Sequence, residues 1–187
     1  MSVTLRLVWV GYMKTVISTL VLAALALAPC KSFGDFEQAV EAYEAGDYET
    51  ALKLFRPLAE QGSANAQYNL GNMYDFGQGI AQDHNQAVKW YRLAADQGHA
   101  NAQFNLALMY EYGRGIPQDD KQAVRWYRLA AEQGLDSAQY GLGYHYEHGF
   151  GVPEDSIQAY AWYNIAAANG LEEADETISK LKLPQAS

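Results

Sequence analysis

The sequence predicts an all-α solenoid of stacked antiparallel helix hairpins, because most of it repeats with a fixed period of 36 residues. Glycines stand at positions 62, 98, 134 and 170. Two dipeptides recur at the same interval, as Ala66-Gln67, Ala102-Gln103 and Ala138-Gln139, and as Trp90-Tyr91, Trp126-Tyr127 and Trp162-Tyr163. A period of this length is typical of units that stack because none can bury its apolar face alone. Such a stack favours an extended binding surface over an enzyme pocket.

The first 34 residues differ from the rest because they contain no Asp or Glu. Their apolar run over 16–28 would form a helix of about 20 Å, shorter than the hydrocarbon core of a bilayer at about 30 Å. This pattern predicts a signal peptide and not a membrane anchor. We expect cleavage between Gly34 and Asp35, with Met1 and Met13 both open as the start. The predicted product is exported to the periplasm or secreted, with no stable membrane insertion after removal of the leader.

The composition is that of a globular protein, with 49% apolar and 19% charged residues. The formal net charge of −9 argues against nucleic acid and anionic membranes as partners. The single cysteine, Cys30, lies in the predicted leader. The core must therefore come from packing between repeats and not from disulfides.

Each repeat contains two segments with the periodicity of an amphipathic helix. In the first full copy the apolar positions are Ala66, Leu70, Met73 and Tyr74, then Ala87, Trp90, Tyr91, Ala94 and Ala95. Aspartates at 83, 119 and 155 precede the second segments, with Gln three residues later, as in a capping box. The glycines at 98, 134 and 170 are predicted to end the second helices in a left-handed conformation.

A loop with two glycines joins the helices of each full copy, at 77 and 79, 113 and 115, and 149 and 151. A phosphate-binding loop would follow a strand and lead into a Lys-Ser or Lys-Thr pair, and neither feature is present. The loop is therefore interpreted as a turn that needs positive φ angles.

The shared pattern resembles the Sel-1-like repeat, an α-solenoid family related to tetratricopeptide repeats. The resemblance rests on Ala-x-Ala-Gln-x-x-Leu-Gly-x-Met-Tyr, the Gly-x-Gly loop and Trp-Tyr-x-x-Ala-Ala-x-x-Gly. Ala107, Ala81 and His145 depart from it. The predicted units are a signal peptide over 1–34, a tetratricopeptide-like hairpin over 35–62, Sel-1-like repeats over 63–98, 99–134 and 135–170, and a capping helix with a tail over 171–187.

The resemblance implies a right-handed superhelix that scaffolds protein complexes, often in the bacterial envelope or outside the cell. Some secreted relatives carry a cysteine pair in each repeat and have been discussed as penicillin-binding proteins. This sequence lacks those cysteines, so that property is not expected here.

No residue pattern points to catalysis, a cofactor or a metal. The four histidines form no His-Glu-x-x-His motif, and no Gly-x-Ser-x-Gly element is present. His145 and His148 lie one helical turn apart, which is a weak metal pattern. Packing at a methionine position is the favoured role of His145, and an enzyme is the least favoured class of function.

If the first helices line the inner face, as in tetratricopeptide repeats, their side chains predict a partner-binding groove. Its residues would be Tyr68, Asn72, Asp75, Phe76, Phe104, Leu108, Glu111, Tyr112, Tyr140, Tyr144, Glu147 and His148. Aromatic rings among acids favour a protein or peptide segment that carries apolar and basic residues. Two alternatives stay open: the rings pack between repeats, or they stack on a cell-wall or exopolysaccharide glycan.

Overall fold

The computed structural model describes residues 29–181, with side chains from Gly34 onward. Within that range the chain forms only helices, joined by short loops. Their bounds are α1 Pro29–Glu44, α2 Tyr48–Glu60, α3 Ala64–Phe76, α4 His84–Asp96, α5 Ala100–Tyr112, α6 Asp120–Glu132, α7 Asp136–His148, α8 Ser156–Ala168 and α9 Glu172–Lys180. Each helix packs on the next along the chain, so the hairpins α1–α2, α3–α4, α5–α6 and α7–α8 stack in order and α9 covers α8. The predicted all-α solenoid is confirmed.

Most of the predicted signal peptide lies outside the described residues. Helix α1 begins at Pro29, so the expected cleavage bond between Gly34 and Asp35 falls within it. Among the described helices none is both long and apolar enough to cross a membrane.

The core lies where the two helices of a hairpin meet each other and the next hairpin. Tyr91, Tyr127 and Tyr163 are fully buried, as predicted from their helical spacing. A Cβ atom at Gly71 would lie 2.6 Å from the Tyr91 ring, so each buried ring needs a small residue opposite it. The tryptophans behave less uniformly, since Trp126 is buried and its equivalents in the other copies are only partly buried.

The second helices begin at the predicted aspartates. The Asp83 side chain accepts hydrogen bonds from the backbone N–H groups of Asn85 and Gln86, and Asp119 and Asp155 repeat this geometry. The other hydrogen bond of the predicted capping box, from the backbone N–H of the aspartate to the glutamine side chain, is wrong. The backbone N–H of Asp83, which the glutamine would bind, donates instead to the carbonyl of Tyr74 at 2.9 Å. This bond fixes the loop onto the first helix.

The loop glycines adopt the predicted positive φ angles and have a second role. A Cβ atom at Gly79 would lie 2.6 Å from the carbonyl oxygen of Tyr48 in the preceding hairpin. Gly115 and Gly151 approach His84 and Asp120 in the same way. Each loop thus packs backbone to backbone on the start of the previous second helix, where no side chain fits.

A buried glutamine links every pair of neighbouring hairpins. The amide nitrogen of Gln103 donates to the carbonyl of Ala95 at 3.1 Å, and its oxygen accepts from Gln133 at 2.7 Å. Gln67 and Gln139 make the equivalent bonds. A buried amide is costly when unpaired, so this relay fixes the register between hairpins.

Candidate partner-binding surface

The twelve predicted groove residues form four rows across α3, α5 and α7, with the members of each row 36 residues apart. The rows are Tyr68, Phe104 and Tyr140; Asn72, Leu108 and Tyr144; Asp75, Glu111 and Glu147; and Phe76, Tyr112 and His148. None of these three helices contains a Lys or Arg residue. We call this the first-helix surface.

The first row combines packing with exposure. Tyr68, Phe104 and Tyr140 are all partly buried. Each ring lies against the buried tyrosine of its own hairpin, with centroid distances of 6.2, 5.7 and 5.1 Å. One side of each ring therefore belongs to the core, while the rest remains accessible from the first-helix surface.

The last row is the most exposed. Phe76 and Tyr112 have 64% and 63% of their surface accessible, and His148 is also exposed. Tyr144 is 38% accessible, and its ring lies 4.2 Å from that of His148. Large apolar rings held at this exposure by a helical scaffold are typical of residues that contact partners.

The acidic row has a structural role that the sequence did not reveal. Asp75 is buried, and its carboxylate contacts His84 Nδ1 at 2.8 Å, so it does not reach the surface. Glu147 accepts a hydrogen bond from the Tyr163 hydroxyl at 2.7 Å, and Glu111 accepts one from Tyr127. These two longer side chains are only partly buried and add negative charge to the surface.

An open depression of about 420 Å³ lies between α5 and α7. It brings together six predicted residues, Phe104, Leu108, Glu111, Tyr112, Tyr140 and Tyr144. Four further lining residues were not predicted, namely Tyr127, Ser137, Gly141 and Glu173. The four predicted residues on α3, together with Glu147 and His148, lie outside it.

Gly141 lines the depression at a position where the other copies carry a longer side chain. The equivalent positions in the other copies are Asn69 and Asn105, and the Asn105 amide donates to Asn72 Oδ1 at 3.2 Å. A glycine at 141 removes such a side chain, and even a Cβ atom there would lie 3.1 Å from the Tyr127 ring. The sequence contained this signal, as Gln-Tyr-Gly-Leu in place of Gln-Tyr-Asn-Leu.

His145 occupies the core position held by methionine in the other copies, and it is 1% exposed. Its Nδ1 contacts the Phe150 carbonyl at 3.0 Å, and its Nε2 lies 3.5 Å from Glu111 in the preceding hairpin. Burial alone would lower the pKa of His145, but these contacts and the charges of Glu111 and Asp120 raise it overall. The pKa of Glu111 shifts in the opposite direction. Burial alone would raise it, but hydrogen bonds from His145, Tyr127 and Tyr112 lower it overall.

Among the residues that the structure describes, no three His, Cys, Asp or Glu side chains cluster closely enough to hold a metal ion. His148 interacts with the rings of Tyr144 and Phe150 and not with a second metal-ligating side chain.

The family model of the Sel1 repeat matches residues 22–63, 64–99, 100–135 and 136–171. The chain belongs to the Sel1 repeat family. The match at 22–63 includes the N-terminal hairpin, for which the sequence predicts a tetratricopeptide-like unit. Sel1 repeats are generally non-catalytic scaffolds for protein interactions.

Solved structures share this fold. A Sel1 repeat protein from Oxalobacter formigenes is 38% identical, with a TM-score of 0.74, over 78% of this chain and 60% of its own. The Escherichia coli protein c5321, a protective antigen of uropathogenic strains that displays an SLR fold, is 40% identical with a TM-score of 0.77. That alignment covers 80% of this chain and 33% of c5321. The chain thus spans about 60% and 33% of the lengths of these two Sel1 relatives.

Helicobacter pylori cysteine rich protein B shares the fold at 21% identity, with a TM-score of 0.56, over 70% of this chain and 94% of its own. No curated protein matches this sequence.

The raised pKa of His145 predicts that the free energy of unfolding depends on pH, and that His145→Met removes this dependence. A raised pKa means that protonated His145 stabilises the fold below its unfolded pKa of about 6.5, and that this contribution is lost as pH rises through the folded pKa. The Met variant, which restores the residue of the other copies, should lack this loss. Urea denaturation of wild type and of His145→Met between pH 5 and 8 measures this loss as the difference between their curves of unfolding free energy against pH.

His148→Gln, which changes an exposed histidine of the same helix, is the control and should keep the wild-type slope. A His145→Met curve parallel to wild type over this range would show that the contact with Glu111 has no energetic effect.

Proposed function

We propose that the protein is a non-catalytic adaptor whose first-helix surface binds a segment of another protein rich in basic and apolar residues. The observation that carries the proposal is the depression between α5 and α7, where partly exposed rings surround a carboxylate. Aromatic side chains provide much contact area at low entropic cost, which is why they dominate the energetics of many interfaces. The Sel1 family as a whole supports a scaffold role.

The charge of the surface supports a cationic partner. Glu111 lines the depression together with Glu173 of α9, and α3, α5 and α7 contribute no Lys or Arg side chain to balance them. The hydrogen bond from Tyr127 and the contact with His145 keep Glu111 ionised by lowering its pKa. A basic side chain at the rim would be attracted over a distance of roughly one Debye length, about 8 Å at physiological salt.

The binding test uses a synthetic lysine–leucine peptide and measures its affinity by fluorescence anisotropy. Replacing both Phe104 and Tyr140 with alanine should weaken binding by roughly 2 kcal/mol, or about 30-fold, as for interface hot spots. Gly141→Asn should also weaken it, because the new side chain would fill the depression. Gly141→Ala is the matched control, since it shares the gain in helix propensity and the contact with Tyr127 but leaves most of the space.

A Gly141→Asn variant that binds the peptide as tightly as Gly141→Ala would refute this assignment of the surface. The glycan alternative predicts a different result, in which oligosaccharides of the cell wall are retained by wild type and lost in the same variants. A lysine–serine peptide tests the apolar part and should bind much more weakly than the lysine–leucine peptide.

We further propose that the protein is exported. The support is the short apolar run behind basic residues at 1–34, which lies mostly outside the described part of the chain. Expression of the full chain in a bacterium, followed by intact mass measurement of the periplasmic fraction, should show a product that begins at Asp35. A product that retains Met1 or Met13, or lipid on Cys30, would contradict this proposal.

A further inference from the structure

We propose that the outer surface of the second helices is a second docking site, which takes an acidic segment of another protein with apolar side chains. This second-helix surface comprises the outward residues of α2, α4, α6 and α8. It shares no lining residue with the depression between α5 and α7. The inference therefore stands on different residues from the proposed function.

Basic residues are concentrated on this surface in register with the repeat. They form two rows, Lys53, Lys89 and Arg125 in one and Arg56, Arg92 and Arg128 in the other, with 36 residues between neighbours. These six are close to half of the 13 basic residues in the chain, whereas α3, α5 and α7 have none. The helices α4 and α6 thus each carry a net charge of +1, whereas α3, α5 and α7 have acidic residues and no Lys or Arg.

Two depressions lie on this surface at equivalent places in successive hairpins. Their volumes are about 590 Å³ and 490 Å³. The first is lined by Asn85, Val88, Lys89, Arg92, Leu93, Asp96 and Gly115, and the second by Lys121, Val124, Arg125, Arg128, Leu129, Glu132, Gly151 and Val152. Each combines a valine and a leucine with basic side chains, so each can take an apolar side chain beside a carboxylate.

Exposed aliphatic residues continue this pattern along the stack. Leu93, Leu129 and Ile165 stand 36 residues apart and are 47%, 37% and 42% accessible. A row of this kind on the second helices of three successive hairpins favours a ligand that crosses several hairpins. On α8 the equivalents of the basic rows are Ala161 and Asn164, so the ligand should be acidic where it contacts α4 and α6.

Two of the arginines, Arg92 and Arg128, are held in place before any partner binds. The Arg92 guanidinium donates to the Tyr110 hydroxyl and lies 5.6 Å from the centre of that ring. Arg128 donates to the Tyr146 hydroxyl at 2.7 Å, with a ring distance of 6.0 Å. A guanidinium that is already ordered loses less entropy when it binds a carboxylate.

Charge complementarity decides between an acidic protein segment and other anionic partners. Asp96 and Glu132 line the C-terminal ends of the two depressions, so the positive charge is confined to the middle of α4 and α6. A nucleic acid presents a continuous row of phosphates, and the net charge of −9 would repel it beyond this narrow stripe. A peptide can place single carboxylates at Lys89 and Arg125 and leucine side chains between them.

The test measures binding of a synthetic glutamate–leucine peptide by fluorescence anisotropy. We expect Lys89→Gln with Arg125→Gln to weaken binding roughly tenfold or more, and Leu93→Ser with Leu129→Ser to weaken it by a similar factor. Asn65→Glu with Asn101→Glu makes the same change in net charge at exposed positions of the first helices, and this control should bind within about twofold of wild type. Gly141→Asn should bind normally, which separates this site from the first-helix surface.

The proposal is overturned if wild type does not bind the peptide, or if the Lys89 and Arg125 variant binds it as tightly as wild type. Equal weakening in the Asn65 and Asn101 control would show an unspecific effect of net charge and would also overturn it. The same holds if duplex DNA or anionic lipid vesicles bind through Lys89 and Arg125 in preference to the peptide. Sedimentation that shows a dimer lost in this variant would assign the surface to a second copy instead. Thermal melting confirms that the exposed substitutions leave the fold intact.

Discussion

Burial of one aromatic ring per hairpin is the interaction on which the rest of the solenoid depends, and this ring is Phe55 in the first hairpin and a tyrosine in the other three. Tyr91, Tyr127 and Tyr163 each place a ring against a small residue of the first helix and donate the hydroxyl to a polar group on that helix. Burial raises the pKa of all three hydroxyls, so they stay neutral donors. Each tyrosine ring is therefore packed in the core without leaving its hydroxyl unpaired.

This arrangement determines which groups remain for binding. The tyrosine hydroxyls bind Glu111 and Glu147 from the inner side, and the same carboxylates add charge to the first-helix surface. The glutamine relay and the close approach of the loop glycines hold successive hairpins in register without using the outward side chains. Both outer surfaces of the stack can therefore differ in charge and shape without disturbing this register.

The sequence predicted the helices and most of the core, because a period of 36 residues fixes the hairpin and helical spacing fixes the buried face. It did not predict the role of Gln103, since a buried hydrogen bond depends on which carbonyl of another hairpin lies nearby. The sequence predicted Asp75 as a groove residue together with Glu111. The Asp75 side chain is one methylene group shorter than that of Glu111, and it stays in the interior beside His84. Gly141 was visible in the sequence as a departure from the repeat, but it was not predicted as a site residue, because a missing side chain has meaning only beside the residues that surround it.

The central claim is that the surface of α5 and α7 is where a cationic, apolar segment docks. Titration of the isotopically labelled protein with the lysine–leucine peptide, followed through its backbone amide NMR signals, tests it directly. We expect the largest chemical-shift changes around Leu108, Tyr112, Tyr140 and Tyr144, while the signals of α2 and α4 stay nearly unchanged. Shifts concentrated on α4 and α6, or spread evenly over the chain, would contradict it.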